Sequence, residues 1–326
     1  MVKPLLDIQT LADQLTLPVI AAPMFIVSEP ALVKACSAAG VIGSFPAANA
    51  NRSAAGLDGW LNEIEEGAAR GRAEGRYVAP FAANIIVHKS NAHLDRDIAA
   101  VAKHKVPLII TSVGAPGDIA KEVHAYGGLV FHDVIHMRHA RKAVGAGVDG
   151  LILVCAGAGG HAGTLNPFAF VTEARAEFDL PLILSGTIST GRGVRAARVL
   201  GADFAYLGTR FIATEEANAD AEYKRMIFES GASDITYTPE FSGIPGSYLT
   251  KSIVASGVDP TTIALAGQKV ERDYRSGTDR PKAWAVIKSG GQGVGTISDA
   301  PPVAELVARL KADYDAAGID SRAAAE

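Results

Sequence analysis

The 326-residue sequence predicts an α/β fold: a (β/α)8 barrel, or TIM barrel, with a smaller helical insertion after the eighth strand. Short runs rich in β-branched and other apolar residues alternate with longer, alanine-rich segments, as in a parallel sheet covered by helices. Eight such runs can be counted before residue 208, and eight is the number that closes a barrel of this kind. After Thr214 the alternation stops, which predicts the insertion.

The predicted strands and helices follow one another in a regular order. The strands are predicted at residues 19–22, 41–45, 78–86, 107–112, 129–132, 150–154, 182–185 and 204–207. Helices are predicted to begin near Glu29, Leu57, Asn91, Gly117, Met137, Pro167 and Thr190. A doubly wound open sheet is the structural alternative, but it usually has fewer strands and a glycine-rich turn after the first one. Here Pro23 and Met24 follow the first strand.

The end of the strand–helix alternation after Thr214 predicts the domain organisation. Residues 1–214 and 281–326 are predicted to form the barrel, and residues 215–280 a helical lid or substrate segment. In that lid, residues 215–226 read as a polar helix, and turn-forming residues follow without a further clear strand. The chain is then expected to close with an amphipathic helix over 303–314 and to fray over 321–326.

Composition narrows the class of partner. The 31 basic and 35 acidic residues are spread along the chain for a net charge of −4, which argues against nucleic acid as a partner. No apolar stretch approaches the roughly 20 residues that span a bilayer, so no membrane association is expected. Cys36 and Cys155 lie in apolar surroundings and are expected to be reduced, which favours the cytoplasm. A small-molecule partner is predicted, and a homo-oligomer is left open.

The active site of a (β/α)8 enzyme lies at the C-terminal ends of its strands. There the sequence places Pro23, Met24, Asn84, Ser112, Asp133, His161, Ser185, Gly186, Thr187, Gly208, Thr209 and Arg210. His161 stands out because residues 156–163 read Ala-Gly-Ala-Gly-Gly-His-Ala-Gly. Backbone can approach a ligand closely in such a segment, and the imidazole titrates near neutral pH. A glycine-rich turn with an incidental histidine is the alternative.

The loops after the seventh and eighth strands carry a second signal. Such loops commonly bind phosphate, and here each offers small hydroxyl residues, glycine and a cation: Ser185 and Gly186 with Arg192, and Gly208 and Thr209 with Arg210. Ordinary loop chemistry with a helix cap is the alternative. The pair predicts a phosphate-bearing cofactor.

No metal is predicted. His132, His136 and His139 are close in sequence, but no carboxylate or cysteine completes an evident ligand set around them. Solvated or capping histidines are the simpler interpretation of this cluster.

Four segments, in order along nearly the whole chain, resemble the nitronate monooxygenase family, formerly called 2-nitropropane dioxygenases. They are Ala-Pro-Met at 22–24, Ala-Gly-Gly-His-Ala-Gly at 158–163, the segment 200–211 with Leu-Gly-Ala-Asp and Leu-Gly-Thr-Arg-Phe, and Ser-Gly-Gly-Gln-Gly-Val-Gly at 289–295. The members of this family are FMN-dependent (β/α)8 enzymes. The resemblance therefore implies FMN as the cofactor.

The resemblance also implies site residues. The FMN contacts would be Ala22, Pro23, Met24, Asn84, Asp133, Ala158 and Gly159, with the phosphate on Ser185, Gly186, Gly208 and Thr209. His161 matches the catalytic histidine, which removes the α-proton from a neutral nitroalkane. Tyr248 and Lys251 are candidates to reach the nitro group from the lid, with a solvated surface pair as the alternative.

Three departures from the family pattern stand near the site. Residues 154–157 read Val-Cys-Ala-Gly where members often have Gln-Gly-x-Glu. Thr187 stands where members often have a second glycine. Asp133 stands where at least some relatives place a cation near the flavin.

The implied reaction is oxidation of an alkyl nitronate, or of a nitroalkane, by dioxygen to a carbonyl compound and nitrite, with His161 as the base. One alternative is an NAD(P)H-dependent FMN reductase of quinones or enoyl thioesters, although no dinucleotide fingerprint is present. Another, of a different class, is a non-flavin barrel that binds a phosphorylated metabolite through the same two loops.

Overall fold

The computed structural model describes residues 4–88, 91–264 and 284–318. Its strands are β1 (Val19–Ala21), β2 (Gly43–Pro46), β3 (Phe81–Ile86), β4 (Leu108–Ser112), β5 (Leu129–Val134), β6 (Gly150–Val154), β7 (Gly160–His161), β8 (Leu182–Ser185), β9 (Phe204–Leu207), β10 (Ile235–Thr238) and β11 (Gly246–Leu249). Eight of them form one parallel sheet in the order β1-β9-β8-β6-β5-β4-β3-β2. A parallel bridge from Ile20 to Ile42 joins the two ends of this sheet. The predicted barrel is therefore confirmed.

Helices fill the connections between these strands. They are α1 (Leu11–Gln14), α2 (Pro30–Ala38), α3 (Ala47–Ala50), α4 (Gly56–Ala73), α5 (Leu94–Lys103), α6 (Ile119–His124), α7 (Met137–Gly145), α8 (Pro167–Glu177), α9 (Gly191–Leu200), α10 (Thr209–Ile212), α11 (Ala221–Phe228), α12 (Thr250–Ala255) and α13 (Val303–Ala316). All seven predicted helix starts fall within a few residues of an observed one. Thr190 caps α9, since its hydroxyl accepts a hydrogen bond from the Gly193 amide at 3.0 Å.

Alternation along each barrel strand divides the apolar side chains into two layers. On β5, Leu129 and Phe131 point into the barrel, whereas Val130 and Val134 pack outward against the helices. Leu11 of α1 joins the inner layer at the N-terminal end of the strands. The N-terminal half of the barrel, called the lower barrel below, is therefore a packed core. Space for a ligand is left at the C-terminal ends of the strands, the mouth of the barrel.

The insertion differs from the prediction. Strands β10 and β11 form an antiparallel hairpin, and β11 also pairs with β7, so the expectation of no strand between residues 215 and 280 is wrong. Both strands have four residues and are half polar, so they lack the apolar run by which the barrel strands were found. The polar helix begins at Ala221 instead of residue 215, because Asp220 caps it.

Parts of the sequence-based description stay predictions. The division into residues 1–214 with 281–326 and residues 215–280 is one of them, and residues 265–283 lie outside the described part of the chain. The expected frayed end at 321–326 also lies outside it. No helix within the described ranges combines the length and apolar character needed to cross a bilayer.

Candidate active site

A cavity of about 530 Å³ opens at the C-terminal ends of the barrel strands. Twelve of the predicted site residues line it together: Ala22, Pro23, Met24, Asn84, Asp133, Ala158, Gly159, His161, Ser185, Gly186, Gly208 and Thr209. They come from the ends of five barrel strands, β1, β3, β5, β8 and β9, from the loop that follows β6 and from β7. The rule that places active sites at this end of a barrel thus located the cavity from sequence.

A directed hydrogen-bond chain crosses one wall of the cavity. The Asn84 amide nitrogen donates to Ser112 Oγ at 2.6 Å, and Ser112 Oγ donates to Asp133 Oδ2 at 2.6 Å. An amide NH2 can only donate, so the serine hydroxyl accepts from Asn84 and donates its own hydrogen bond to the carboxylate. Oδ2 of Asp133 is therefore held as an acceptor.

Two buried oxygen atoms in the cavity wall lack partners among the described residues. They are Asp133 Oδ1 and Tyr206 Oη. Burial raises the pKa of Asp133 to about 6, against a smaller lowering by the Ser112 hydrogen bond. Burial also raises the pKa of Tyr206 well above its ordinary value, and the charge of Asp133 adds to the effect. Unpaired buried polar atoms are costly, so this wall suits a ligand with a polar edge.

Glycine loops form another wall, where backbone segments approach each other closely. A Cβ on Gly157, whose φ is +80°, would lie 2.5 Å from Thr187 Cγ2. The Gln292 amide donates to Gly157 O at 2.9 Å, and the Gly291 amide donates to Thr209 Oγ1 at 2.9 Å. The segment 289–295 is thereby joined to both the glycine-histidine loop and the loop after β9.

The predicted cations of the phosphate loops point away from the cavity. Arg192 lies beside Asp313, and the Arg210 guanidinium contacts Asp299 at 3.2 Å. The expectation that each loop offers a cation is therefore wrong, because helices α9 and α10 direct these side chains outward. Hydroxyl groups and backbone amides remain at this wall, the groups that bind phosphate at helix N-termini.

His161 lines the cavity with its ring held on two sides. Its Nε2 lies 2.8 Å from Ser242 Oγ, and Trp284 packs against the ring edge-on at 5.2 Å between centroids. Ser242 Oγ also lies 2.8 Å from Ile244 O, to which it donates, so the serine accepts from the histidine. A fixed imidazole is what positioned proton transfer requires.

Ser242 and Trp284 were not identified from the sequence. Ser242 belongs to a turn-rich stretch, and Trp284 is one of only two tryptophans in the chain. For Trp284, the available signal was a rare tryptophan close to the glycine-rich segment 289–295. Nothing local to Ser242 distinguishes it from other loop serines.

The two lid candidates lie elsewhere. Tyr248 is fully buried behind Trp284, at 5.2 Å between ring centroids, and does not line the cavity. Lys251 lies on the surface, 3.9 Å from a carboxylate oxygen of Glu229. Neither side chain reaches down to the cavity: β11 buries the tyrosine, and the first turn of α12 presents the lysine outward.

Backbone strain is concentrated around this site. Five non-glycine residues in the described ranges have positive φ, and three of them, Val113, Thr187 and Trp284, line the cavity. A fourth, Ile26 at φ 70°, lies between two lining residues, and only Lys105 is remote. Such conformations are costly for β-branched residues and cluster at functional sites.

Fold and site together define a (β/α)8 enzyme with the His161 imidazole held at the mouth of the barrel. Residues 9–313 match the family model described as nitronate monooxygenase. The chain belongs to the nitronate monooxygenase family, a family of oxidoreductases, and this membership implies a flavin cofactor.

Comparison with individual proteins agrees with this membership. A nitronate monooxygenase of Paraburkholderia phytofirmans is 30% identical over 228 residues, which are 66% of this chain and 62% of that protein. The matched part thus spans less than two thirds of the relative. The structure of FabK from Thermotoga maritima aligns with a TM-score of 0.73 at 22% identity, covering 98% of this chain and 99% of that one.

A second solved structure, nitroalkane oxidase from Streptomyces ansochromogenes, aligns with a TM-score of 0.71 at 21% identity. It covers 97% of this chain and 100% of the other. At these identities the two solved structures show a shared fold. No group of three or more histidine, cysteine or carboxylate side chains within the described ranges is arranged to hold a metal ion.

Proposed function

We propose that the protein binds FMN in the cavity and oxidises alkyl nitronates, and nitroalkanes, with dioxygen to give a carbonyl compound and nitrite. The observation that carries the proposal is the meeting of His161 and the eleven residues expected to contact FMN around one cavity. These residues come from distant parts of the sequence, and a chance resemblance of isolated motifs would not bring them together.

The residues present fit a flavin. Asp133 Oδ1 and Tyr206 Oη have no partner within the described ranges and would offer hydrogen bonds to the polar edge of a ring. Ala22, Pro23 and Met24 supply a small apolar wall. Hydroxyl groups and amides around Ser185, Gly186, Gly208 and Thr209 would hold a phosphate. A Cβ on Gly208 would project toward Met24 Sδ at 3.7 Å, into space that the cofactor would use.

Bound FMN would supply the redox chemistry, taking electrons from the substrate and delivering them to dioxygen. The chain supplies orientation and proton transfer. His161, fixed by Ser242 and Trp284, would take the α-proton of a neutral nitroalkane. A nitronate has already lost that proton, so for it His161 would contribute only to binding. The apolar part of the cavity would exclude water from the reacting carbon.

The first experiment is an absorption spectrum of the purified protein, followed by anaerobic titration with propionate 3-nitronate and, separately, with NADH or NADPH. We expect a flavin spectrum that the nitronate bleaches and the nicotinamides do not. Rapid bleaching by NADH or NADPH alone would replace the proposal by the NAD(P)H-dependent reductase. A protein that stays colourless after incubation with FMN would favour the non-flavin, phosphate-binding barrel.

The role of His161 is tested separately with His161→Gln. We expect nitroalkane turnover to fall by about 100- to 10,000-fold, because general base catalysis is worth roughly that factor, while nitronate turnover falls far less. His139→Gln, which removes an imidazole outside the cavity, is the matched control and should leave both activities unchanged. Equal losses with both substrates in His161→Gln would exclude the histidine as the base.

A further inference from the structure

We propose that Asp133 is a redox-linked proton carrier: its carboxyl takes up a proton when the bound flavin gains two electrons and releases it when the flavin is reoxidised. The inference rests on the flavin part of the proposed function and is independent of whether a nitronate is the substrate. It gives a chemical role to the one carboxyl group that lines the cavity in the described part of the chain.

The hydrogen-bond chain decides which oxygen carries the proton. Because Asn84 donates to Ser112 and Ser112 donates to Asp133 Oδ2, that oxygen already accepts a hydrogen bond from the serine. Oδ1 has no partner among the described residues and is the site that remains for protonation. Its hydrogen would then be available to the polar edge of a ligand in the cavity.

The surroundings of Asp133 contain no compensating positive charge within the described ranges. The titratable side chains that line the cavity are Asp133, His161 on β7, Tyr206 on β9 and Tyr223 on α11, with no lysine or arginine among them. The neighbouring strands β4 and β6 contribute Ser112 and Val154, which do not titrate.

The two phenols stay neutral near physiological pH. Burial raises the pKa of Tyr223 to about 12, and its hydroxyl donates to Ser289 O at 2.8 Å. The pKa of Tyr206 lies well above its ordinary value. Apart from the imidazole, the Asp133 carboxyl is therefore the group in this wall that can change its charge.

Electrostatics then couples the carboxyl to the flavin. Burial has already raised the pKa of Asp133 to about 6, so the carboxylate is only weakly stabilised. A negative charge that develops on a neighbouring ring raises that pKa further, because like charges disfavour each other. On reduction the flavin takes up two electrons and one proton, and Asp133 takes up a second proton. On reoxidation all of them are released. The electrons come from the nitronate in turnover, or from a chemical reductant in the test.

The first test is the midpoint potential of the bound flavin as a function of pH, measured with a chemical reductant on the flavin-loaded protein. Each proton taken up with two electrons changes the potential by about 30 mV for a tenfold change in proton concentration. Between about pH 7 and 8.5 we expect a slope of about 60 mV per pH unit for the wild type and about 30 for Asp133→Asn. Glu63→Gln, which removes a surface carboxyl, is the control and should retain the wild-type slope.

A second measurement, in which the wild type is compared with Asp133→Asn, locates the extra proton. Reduced-minus-oxidised infrared spectra of protein carrying ¹³C-labelled aspartate should show the carbonyl band of a protonated carboxyl appearing on reduction, and Asp133→Asn should lack it. Equal slopes in the wild type and Asp133→Asn, or a steep slope without the carboxyl band, would overturn the proposal. Failure to bind flavin would be seen in the absorption spectrum first and would refute the cofactor assignment itself.

Discussion

The lower barrel and its mouth are built from the same eight strands, but they differ in how completely their groups are satisfied. Below, Phe131 and Phe204 meet at 6.4 Å between ring centroids in a layer of fully buried apolar side chains. At the mouth, buried oxygens of Asp133 and Tyr206 lack partners in the part of the chain that the structure describes, and Thr187 adopts a left-handed conformation. The packed lower barrel contributes most to stability, whereas the mouth contains the strained backbone and unsatisfied polar atoms that are typical of functional sites.

This contrast is most directly tested by a cavity in the lower barrel. Phe131→Ala should lower the free energy of unfolding by about 3–5 kcal/mol, because it removes a fully buried ring from a packed layer. Urea denaturation measures this loss. Phe168→Ala removes a ring that is 71% exposed and is the control, with an expected change within about 0.5 kcal/mol. A similar loss in both variants would mean that the lower barrel is not the stabilising region.

A substitution in the glycine wall should combine strain with loss of cofactor. Gly157→Ala places a Cβ 2.5 Å from Thr187 Cγ2 at a φ of +80°, so we expect a destabilisation of about 2–3 kcal/mol and weaker FMN binding. Flavin fluorescence titration and thermal unfolding provide the two readings. The control is Gly145→Ala at the end of α7, where the added Cβ would meet no described atom within 4 Å. This substitution should be neutral or slightly stabilising. Unchanged flavin affinity in Gly157→Ala would remove this loop from the binding site.

The two sides of β5 should respond to pH with opposite signs. Outward-facing His132 has its pKa lowered to about 4 by burial, so the unfolded chain binds more protons and stability is lost as pH falls below about 6.5. Inward-facing Asp133 has its pKa raised to about 6 by burial, so the folded chain binds more protons and stability is lost as pH rises between about 4 and 6.

Thermal unfolding of the flavin-free protein at pH 5 and pH 8 separates these contributions. Relative to wild type, Asp133→Asn should gain on the order of 1–2 kcal/mol at pH 8 and less at pH 5. His132→Gln should reduce the loss of stability on acidification. An Asp133→Asn gain that is the same at both pH values would show that the carboxyl does not titrate in this window.

The smallest effect is expected at Thr187. Glycine adopts the φ of 60° found there without strain, but it also increases the entropy of the unfolded chain, so Thr187→Gly should change stability by no more than about 1 kcal/mol. Lys105→Gly makes the same exchange at φ 48° in a turn away from the cavity. A gain at Lys105 together with a loss at Thr187, measured by urea denaturation, would show that the threonine side chain contributes to packing at the mouth.

The barrel and most of its mouth were predictable because their signals are local. Buried strands are continuous apolar runs, and the residues after them must meet at one end, which placed Asn84 and Asp133 correctly on the cavity wall. The hairpin was missed because β10 and β11 are short and half polar, and β7, the second strand with which β11 pairs, lies far away in sequence.

The direction of side chains and the contacts between distant residues could not be predicted from local sequence patterns. Arg192 and Arg210 are adjacent to the right loops, yet the helices turn them toward Asp313 and Asp299. The contact of Ser242 with His161 joins residues 81 positions apart, and a serine in a loop carries no sign of such a partner. The left-handed backbone of Thr187 has no signal in the local sequence, because glycine is the residue that favours this conformation; the only indication was the glycine that family members often have at this position.

The pairing of β7 with β11 has a consequence for recombination between relatives. His161 lies opposite Gly246 in that ladder, so the backbone that presents the imidazole is itself the edge of a small sheet completed by the hairpin. A chimera that exchanges residues 235–249 for a loop of another protein would leave this edge without its hydrogen bonds. The glycine-histidine loop and the hairpin are therefore expected to be transferable only as one module.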